Sequence, residues 1–256
     1  MKGLVTNMKI SEIYEYIDSF APFDSCEEYD NSGLLVGNPE TEISRALVSL
    51  DVTKAVIDEA VRENCGLIIS HHPVIFEPLR AIPSNSLPYL LCRNEIAVLS
   101  AHTNLDIAAG GVNDWLTGRI GLEDVKPFGE DGLGRIGVAG KKDLSEFLFL
   151  LRDRLNCKGM RYTRGAKDVE KVAVCCGAGG FLLDDAVKSG ADTFVTADIK
   201  YSVMLEAADR GLNLIDAGHY ATENGFIPEF CRKLNEKFPE IEFLLSGSNI
   251  DITELA

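Results

Sequence analysis

The stretch that decides the fold is Gly66-Leu67-Ile68-Ile69-Ser70-His71-His72-Pro73. A short apolar run rich in β-branched residues reads as a buried strand. Pro73 removes a backbone donor and stops the ladder, so the adjacent imidazoles sit where the strand ends. Upstream, Arg45-Ala46-Leu47-Val48-Ser49-Leu50-Asp51 reads as another strand. Thr53 then caps a helix to about Asn64 whose apolar face is Val56, Ile57, Ala60 and Val61. Downstream, a helix over Leu87 to Arg93 precedes the strand Ile96 to Ser100, which delivers His102. Strand, helix, strand is the signature of a parallel sheet in an α/β fold.

The alternation resumes after a Gly/Pro-rich, acidic stretch at 121–134. Strands are expected at Ile136 to Ala139, Lys171 to Cys175, Asp192 to Thr196 and Leu212 to Asp216, the last ending at Gly218-His219. A helix is expected to start at Thr222 and run to Phe238, before a closing strand Ile241 to Leu245. The Gly/Pro-rich stretch sets the expected boundary between an N-terminal domain, 1–124, carrying His71, His72 and Asp106, and a C-terminal domain, 125–256, carrying His219 and Glu223. The last segment has the option of returning to the first domain.

Bulk composition narrows the function classes. At 256 residues and 46% hydrophobic, the chain can bury a large core, while its longest apolar runs are strand length and too short to span a bilayer. Met1-Lys2-Gly3-Leu4-Val5-Thr6-Asn7 holds no apolar signal core, which leads to the expectation of a cytoplasmic protein. Seven Cys, none in a C-x-x-C pair, point to reduced thiols rather than a disulfide framework or zinc ribbon. A net charge of −15 argues against stable nucleic-acid binding. An anionic small molecule remains compatible, because bound cations reverse the local field.

The chain has four histidines: His71, His72, His102 and His219. All four follow strand-like runs. Asp106 lies four residues after His102, and Glu223 lies four after His219, one helical turn on, so that those two share a helix face if that helix begins early enough. Imidazole and carboxylate together make catalytic transition-metal sites, and the carboxyl edge of a parallel sheet is where such sites form. Adjacent histidines on extended backbone diverge and would reach different ions, and a carboxylate can bridge two. A histidine at a strand end also serves as an ordinary hydrogen-bonded structural residue, and the spacing alone leaves both readings open. Cys176-Gly177-Ala178-Gly179-Gly180 reads either as a loop whose amides hold a phosphate or as a tight strand-to-helix turn. Asp198-Ile199-Lys200-Tyr201 either contacts substrate or caps a helix. Ser70 lacks the surroundings of a nucleophile elbow.

Five segments occur in the order found in the GTP cyclohydrolase I type 2-like, or NGG-interacting factor three-like, family, which the chain resembles from about Ile10 to Phe243. They are Glu28-Tyr29-Asp30-Asn31-Ser32-Gly33-Leu34, Ser70-His71-His72-Pro73, Ala101-His102-Thr103-Asn104-Leu105-Asp106, Asp198-Ile199-Lys200-Tyr201 and Asp216-Ala217-Gly218-His219-Tyr220-Ala221-Thr222-Glu223. The resemblance implies two similar α/β domains with mostly parallel sheets, a dinuclear metal site in the cleft between them and a homohexameric ring. It assigns His71, Asp106 and Glu223 to one ion and His72, His219 and the same Glu223 to the other. His102 would stand beside them as a proton carrier, so that His102 and Glu223 carry the catalytic roles. The two divalent ions would be Zn, Fe or Mn. Tyr29 stands where many members have Trp, Ser202 where relatives often place His, and the large middle insertion of longer members is missing. The implied function is metal-dependent hydrolysis of a small molecule such as a nucleotide, with GTP ring opening as the named candidate. Phosphoester hydrolysis at the same site and a non-catalytic metal-binding scaffold are the alternatives.

Overall fold

The computed structural model of the chain describes residues 7–254; residues 1–6 of the stretch read for a signal core lie outside them. The chain divides into two compact units, one running up to Ala108 and completed by Ile227–Asp251, the other built from Ala109–Phe226 with the residues from Ile252 on. Both are α/β.

The first unit is organised on five strands in the order Glu242–Leu245, Arg45–Ser49, Leu67–Ser70, Ala97–Ser100, Gly33–Val36. The first four are mutually parallel and the last is antiparallel. The edge strand Glu242–Leu245 comes from the end of the chain, so the last segment does return to this unit. Every residue of Leu67–Ser70 is buried, as a central parallel strand covered on both faces requires. Helix Lys54–Arg62 lays Val56, Ile57 and Ala60 on that sheet, where they pack with Leu47, Ile68, Leu91 and Val98. Each such side chain gains about 1.5–3 kcal/mol on leaving water. Thr53 caps the helix, its hydroxyl oxygen accepting from the Val56 amide at 3.2 Å.

The second unit carries six strands in the order Glu123–Phe128, Gly134–Lys142, Val169–Val174, Thr193–Thr196, Asn213–Asp216, Arg161–Thr163. Only Val169–Val174 with Thr193–Thr196 and Thr193–Thr196 with Asn213–Asp216 pair in parallel, so this sheet is mixed where the first is mostly parallel. The Gly/Pro-rich stretch expected as the boundary lies inside this unit, beyond the division at Ala108. It forms an antiparallel hairpin whose turn uses Gly129 and Gly132 at positive φ. Such residues mark a hairpin turn as readily as a linker.

The helix expected from Thr222 to Phe238 is two helices, His219–Glu223 and Ile227–Lys237, joined by a 3-10 turn over Asn224–Phe226. Gly225 in that turn lies against Trp115, where a Cβ would come within 2.3 Å of the indole. Among the described residues, no helix is long and apolar enough to cross a membrane.

Candidate metal centre

In the first unit, parallel register assembles the histidines. Ser49, Ser70 and Ser100 lie opposite one another on adjacent strands. Asp51, His72 and His102, each two residues further on, therefore leave the sheet at one level of its carboxyl edge. The serines shape the exits. Ser49 donates to the carbonyl of Asp51 at 2.7 Å, and Ser70 donates to that of His72 at 2.8 Å while touching the Ser100 hydroxyl at 2.8 Å. Ser70 is thus a buried turn-holding residue and not a nucleophile.

Ring nitrogens of His71, His72 and His102, one from each, lie within 4.8 Å of one another. The short helix Thr103–Ile107 begins immediately after His102 and carries Asp106, whose Oδ1 is 3.6 Å from His71 Nε2. In the second unit, helix His219–Glu223 starts at the histidine, so His219 and Glu223 share a face one turn apart, with Nε2 and Oε2 separated by 3.2 Å. Two donors bound to one divalent ion at about 2.1 Å in tetrahedral geometry stand about 3.4 Å apart. Both carboxylate–imidazole separations are close to that value.

All four rings are held in the same way. His71 Nδ1 meets the carbonyl of Ala101 at 2.9 Å, and His72 Nδ1 meets Asp51 Oδ1 at 2.7 Å. His102 Nδ1 meets Asp30 Oδ1 at 2.8 Å, and His219 Nδ1 meets Asp198 Oδ2 at 2.7 Å. Each acceptor fixes the proton on Nδ1, sets the ring's orientation and presents Nε2 as the lone-pair donor. Metal-ligating histidines are held by this kind of acceptor. Asp30, Asp51 and Asp198 were not singled out by sequence reasoning for this role, though register was the available signal. Asp51 follows Arg45–Ser49 and Asp198 follows Thr193–Thr196 at the same edge as the histidines.

The tethers are themselves anchored. Asp30 also accepts from the Thr103 amide and hydroxyl and from Ser32. Burial pushes its carboxyl up, but hydrogen bonds from His102, Thr103 and Ser32 outweigh that and hold it well below the usual carboxylate range. The Asp51 amide donates to Asn249 Oδ1 at 3.3 Å, which ties the returning segment to the tether of His72. Glu59, buried on Lys54–Arg62, accepts from Ser246 Oγ and from the amides of Gly247 and Ser248, which holds that segment down. Asp198 adopts a left-handed backbone with φ of 53° to aim its carboxylate at His219, a conformation costing about 1 kcal/mol.

The glycine loop 176–180 is a packed turn. The Gly177 amide donates to Thr222 Oγ1 at 3.1 Å and the Gly179 amide to Thr196 Oγ1 at 2.9 Å. Both amides are committed internally, which supports the tight-turn reading of this loop. Gly177, with φ of 57°, sits against the candidate ligands: a Cβ there would be 2.3 Å from Glu223 Oε1 and 3.1 Å from His219 Nε2. Lys200 and Tyr201 start the helix Tyr201–Asp209 and face solvent, with no side-chain cap bond from Lys200. All seven cysteines are free thiols, and burial pushes Cys65 and Cys157 up to about 11, so neither is a nucleophile at neutral pH.

Strand-end imidazoles with every Nδ1 anchored, beside buried carboxylates, place the chain among α/β proteins with His/Glu groups able to bind metal ions. It belongs to the Duf34/NIF3 (NGG1p interacting factor 3) family, whose model matches residues 8–252. The chain is 34% identical over 252 residues to the GTP cyclohydrolase 1 type 2 homolog of Clostridium perfringens, covering 93% of this chain and 96% of the relative. It is 34% identical over 255 residues to the protein of the same name from Methanocaldococcus jannaschii, covering 97% and 99%. The crystal structure of a Staphylococcus aureus hypothetical protein superposes with a TM-score of 0.88 at 26% identity, covering 98% of this chain and all of the other.

Proposed function

We propose that the chain is a dinuclear metal-dependent hydrolase of a small molecule, with GTP ring opening as the first candidate reaction. One observation carries the reading: each of the four histidines has its Nδ1 held by an oxygen acceptor, the geometry that prepares imidazole to ligate. Relatives bearing the name GTP cyclohydrolase 1 type 2 homolog support the choice of substrate. In this reading His71, Asp106 and Glu223 hold one divalent ion, and His72, His219 and the same Glu223 hold the other. Nitrogen and oxygen donors suit zinc, iron or manganese.

Bound ions would supply Lewis-acid stabilisation and an acidic water near neutral pH. The chain's own contribution is positioning and proton handling. Asp30 accepts a hydrogen bond from His102 Nδ1, which fixes the ring and leaves Nε2 as the atom that accepts and returns a proton. Asp51, Asp198 and the Ala101 carbonyl keep the other rings from rotating as charge develops. The acidic surface suits a small-molecule hydrolase better than a nucleic-acid enzyme, and a homohexameric ring belongs to the same reading.

The test is metal analysis joined to turnover. Protein reconstituted with zinc, iron or manganese is expected to hold close to two ions per chain by elemental analysis and to release formate from GTP. Glu223→Ala is expected to abolish that release. Protein that retains no metal after reconstitution would leave the hydrolase reading without a basis. Turnover of model phosphoesters without formate release would move the activity to phosphoester hydrolysis.

A further inference from the structure

Beside the histidine cluster of the first unit stand two large aromatic side chains that the fold leaves in solvent. Tyr29 is 56% exposed and Phe76 is 44% exposed. Their ring centroids are 6.4 Å apart with the planes tilted by 52°, and Phe76 stands edge-on to His102 at 6.3 Å. Tyr14 and Phe23 of the same unit, by contrast, stack on each other at 4.3 Å. Adjacent exposed rings, one of them edge-on to a candidate catalytic histidine, leave apolar faces open to a ligand beside the histidine cluster.

The pair is built rigidly. Asn31 Nδ2 donates to the Ile75 carbonyl at 2.6 Å, tying the turn that carries Tyr29 to the loop that carries Phe76. Pro73 and Pro78 stand on either side of this loop and fix its backbone at their own positions. The residue after Tyr29 is Asp30, the tether of His102. One short turn therefore fixes both the proton-carrying imidazole and the aromatic rings at a set distance from it.

We propose that Tyr29 and Phe76 form a tilted stacking platform for a planar heteroaromatic ring, one side chain meeting its face and the other its edge, which they hold beside His102. The inference deepens the hydrolase reading by naming the substrate class, and rests on it for the reaction that follows. The platform itself works by ring stacking. It offers π-faces and few hydrogen-bond donors, so it selects ring-bearing substrates over ring-free sugars or phosphoesters.

The test is calorimetric titration of guanosine, with ribose 5-phosphate as the ring-free control, into metal-loaded and chelator-treated protein. Guanosine is expected to bind both forms. Tyr29→Ala and Phe76→Ala should each weaken it about tenfold, the loss typical of one stacked base. Metal content and thermal midpoint should be unchanged in these variants, because both side chains lie at the surface. Phe76→Tyr should keep wild-type affinity, and ribose 5-phosphate should not respond to any of the three. Equal guanosine affinity in wild type and both alanine variants would overturn the platform, as would no guanosine binding by metal-loaded wild type. Two ions per chain without guanosine binding would sink the platform and leave the metal centre standing. Aromatic-dependent guanosine binding by a protein that holds no metal would do the reverse.

Discussion

Each of the two units presents candidate metal ligands by the same device, and they differ in how many donors each gathers. His102 precedes a five-residue helix that presents Asp106 one turn later, and His219 begins a five-residue helix that presents Glu223 one turn later. Each histidine is tethered by an aspartate from elsewhere in its own unit. The first unit, however, gathers three imidazoles and a buried carboxylate, whereas the second offers one imidazole and one carboxylate. The tethers differ too, with the Asp30 side chain fully covered and that of Asp198 57% exposed. In the first unit three imidazoles converge and Asp106 stands 3.6 Å from one of them, His71, whereas the second unit gathers two donors, fewer than a divalent ion needs. The comparison teaches that the same strand-end device gathers more donors in the first unit than in the second.

The largest expected effect comes from removing the completing carboxylate. Glu223→Ala should abolish formate release and leave the protein with at most about one ion per chain, because each proposed ion loses a ligand and only one keeps both of its remaining donors, His71 and Asp106, within the first unit. Elemental analysis showing two ions retained would break the comparison. Next is Gly177→Ala, which forces a methyl group onto Glu223 and places a non-glycine residue at φ of 57°. It should cost about 1–3 kcal/mol in chemical denaturation and weaken metal binding as well. A variant with wild-type metal affinity would show that the glycine serves the turn alone.

Third, the tethers can be ranked. Asp51→Ala should weaken metal binding about 10–100-fold in chelator competition, the usual consequence of losing an outer-shell acceptor. Asp198→Ala should lose less, because an exposed carboxylate is replaced by water at lower cost. The opposite ranking would mean that the second unit's histidine is the more finely held.

The smallest expected effect is on stability. Glu59→Gln leaves Ser246, Gly247 and Ser248 with a poorer acceptor and should cost about 1 kcal/mol. Burial pushes the Glu59 carboxyl up, but hydrogen bonds from Ser246, Gly247 and Ser248 lower it overall. A carboxyl lowered in the folded state stabilises the protein above its unfolded pKa of about 4.3, and that contribution is lost as pH falls through the folded value. The gap between wild type and Glu59→Gln in thermal midpoint should therefore be full at pH 7 and close as pH drops below about 4. A gap that stays constant to pH 3 would remove Glu59 from this role.

Much of the architecture was readable from local pattern. Runs such as Leu67 to Ile69 and Asn213 to Ile215 are apolar because both sheet faces are covered, and their ends mark the carboxyl edge where all four histidines emerge. What local pattern could not show was pairing across the sheet. Asp51 and His72 are 21 residues apart and Asp30 and His102 are 72 apart, so only strand order and register reveal them as partners. The short helix carrying Asp106 was unread because five residues give too little periodicity for a helical signal. The break at Asn224–Phe226 escaped for a similar reason: the close approach of Gly225 to Trp115, more than 100 residues upstream, decides it.

The returning segment has a consequence for how the protein is made. Asp51 leaves the ribosome early, but Asn249, which receives its amide, emerges only after the whole of Ala109–Phe226 has been synthesised. The later unit, uninterrupted over that span, can fold first, while the earlier one waits with Arg45–Ser49 as an unpaired strand edge until Glu242–Leu245 arrives. Chains truncated before that strand should therefore be prone to edge-to-edge association, and the first metal half-site should mature last.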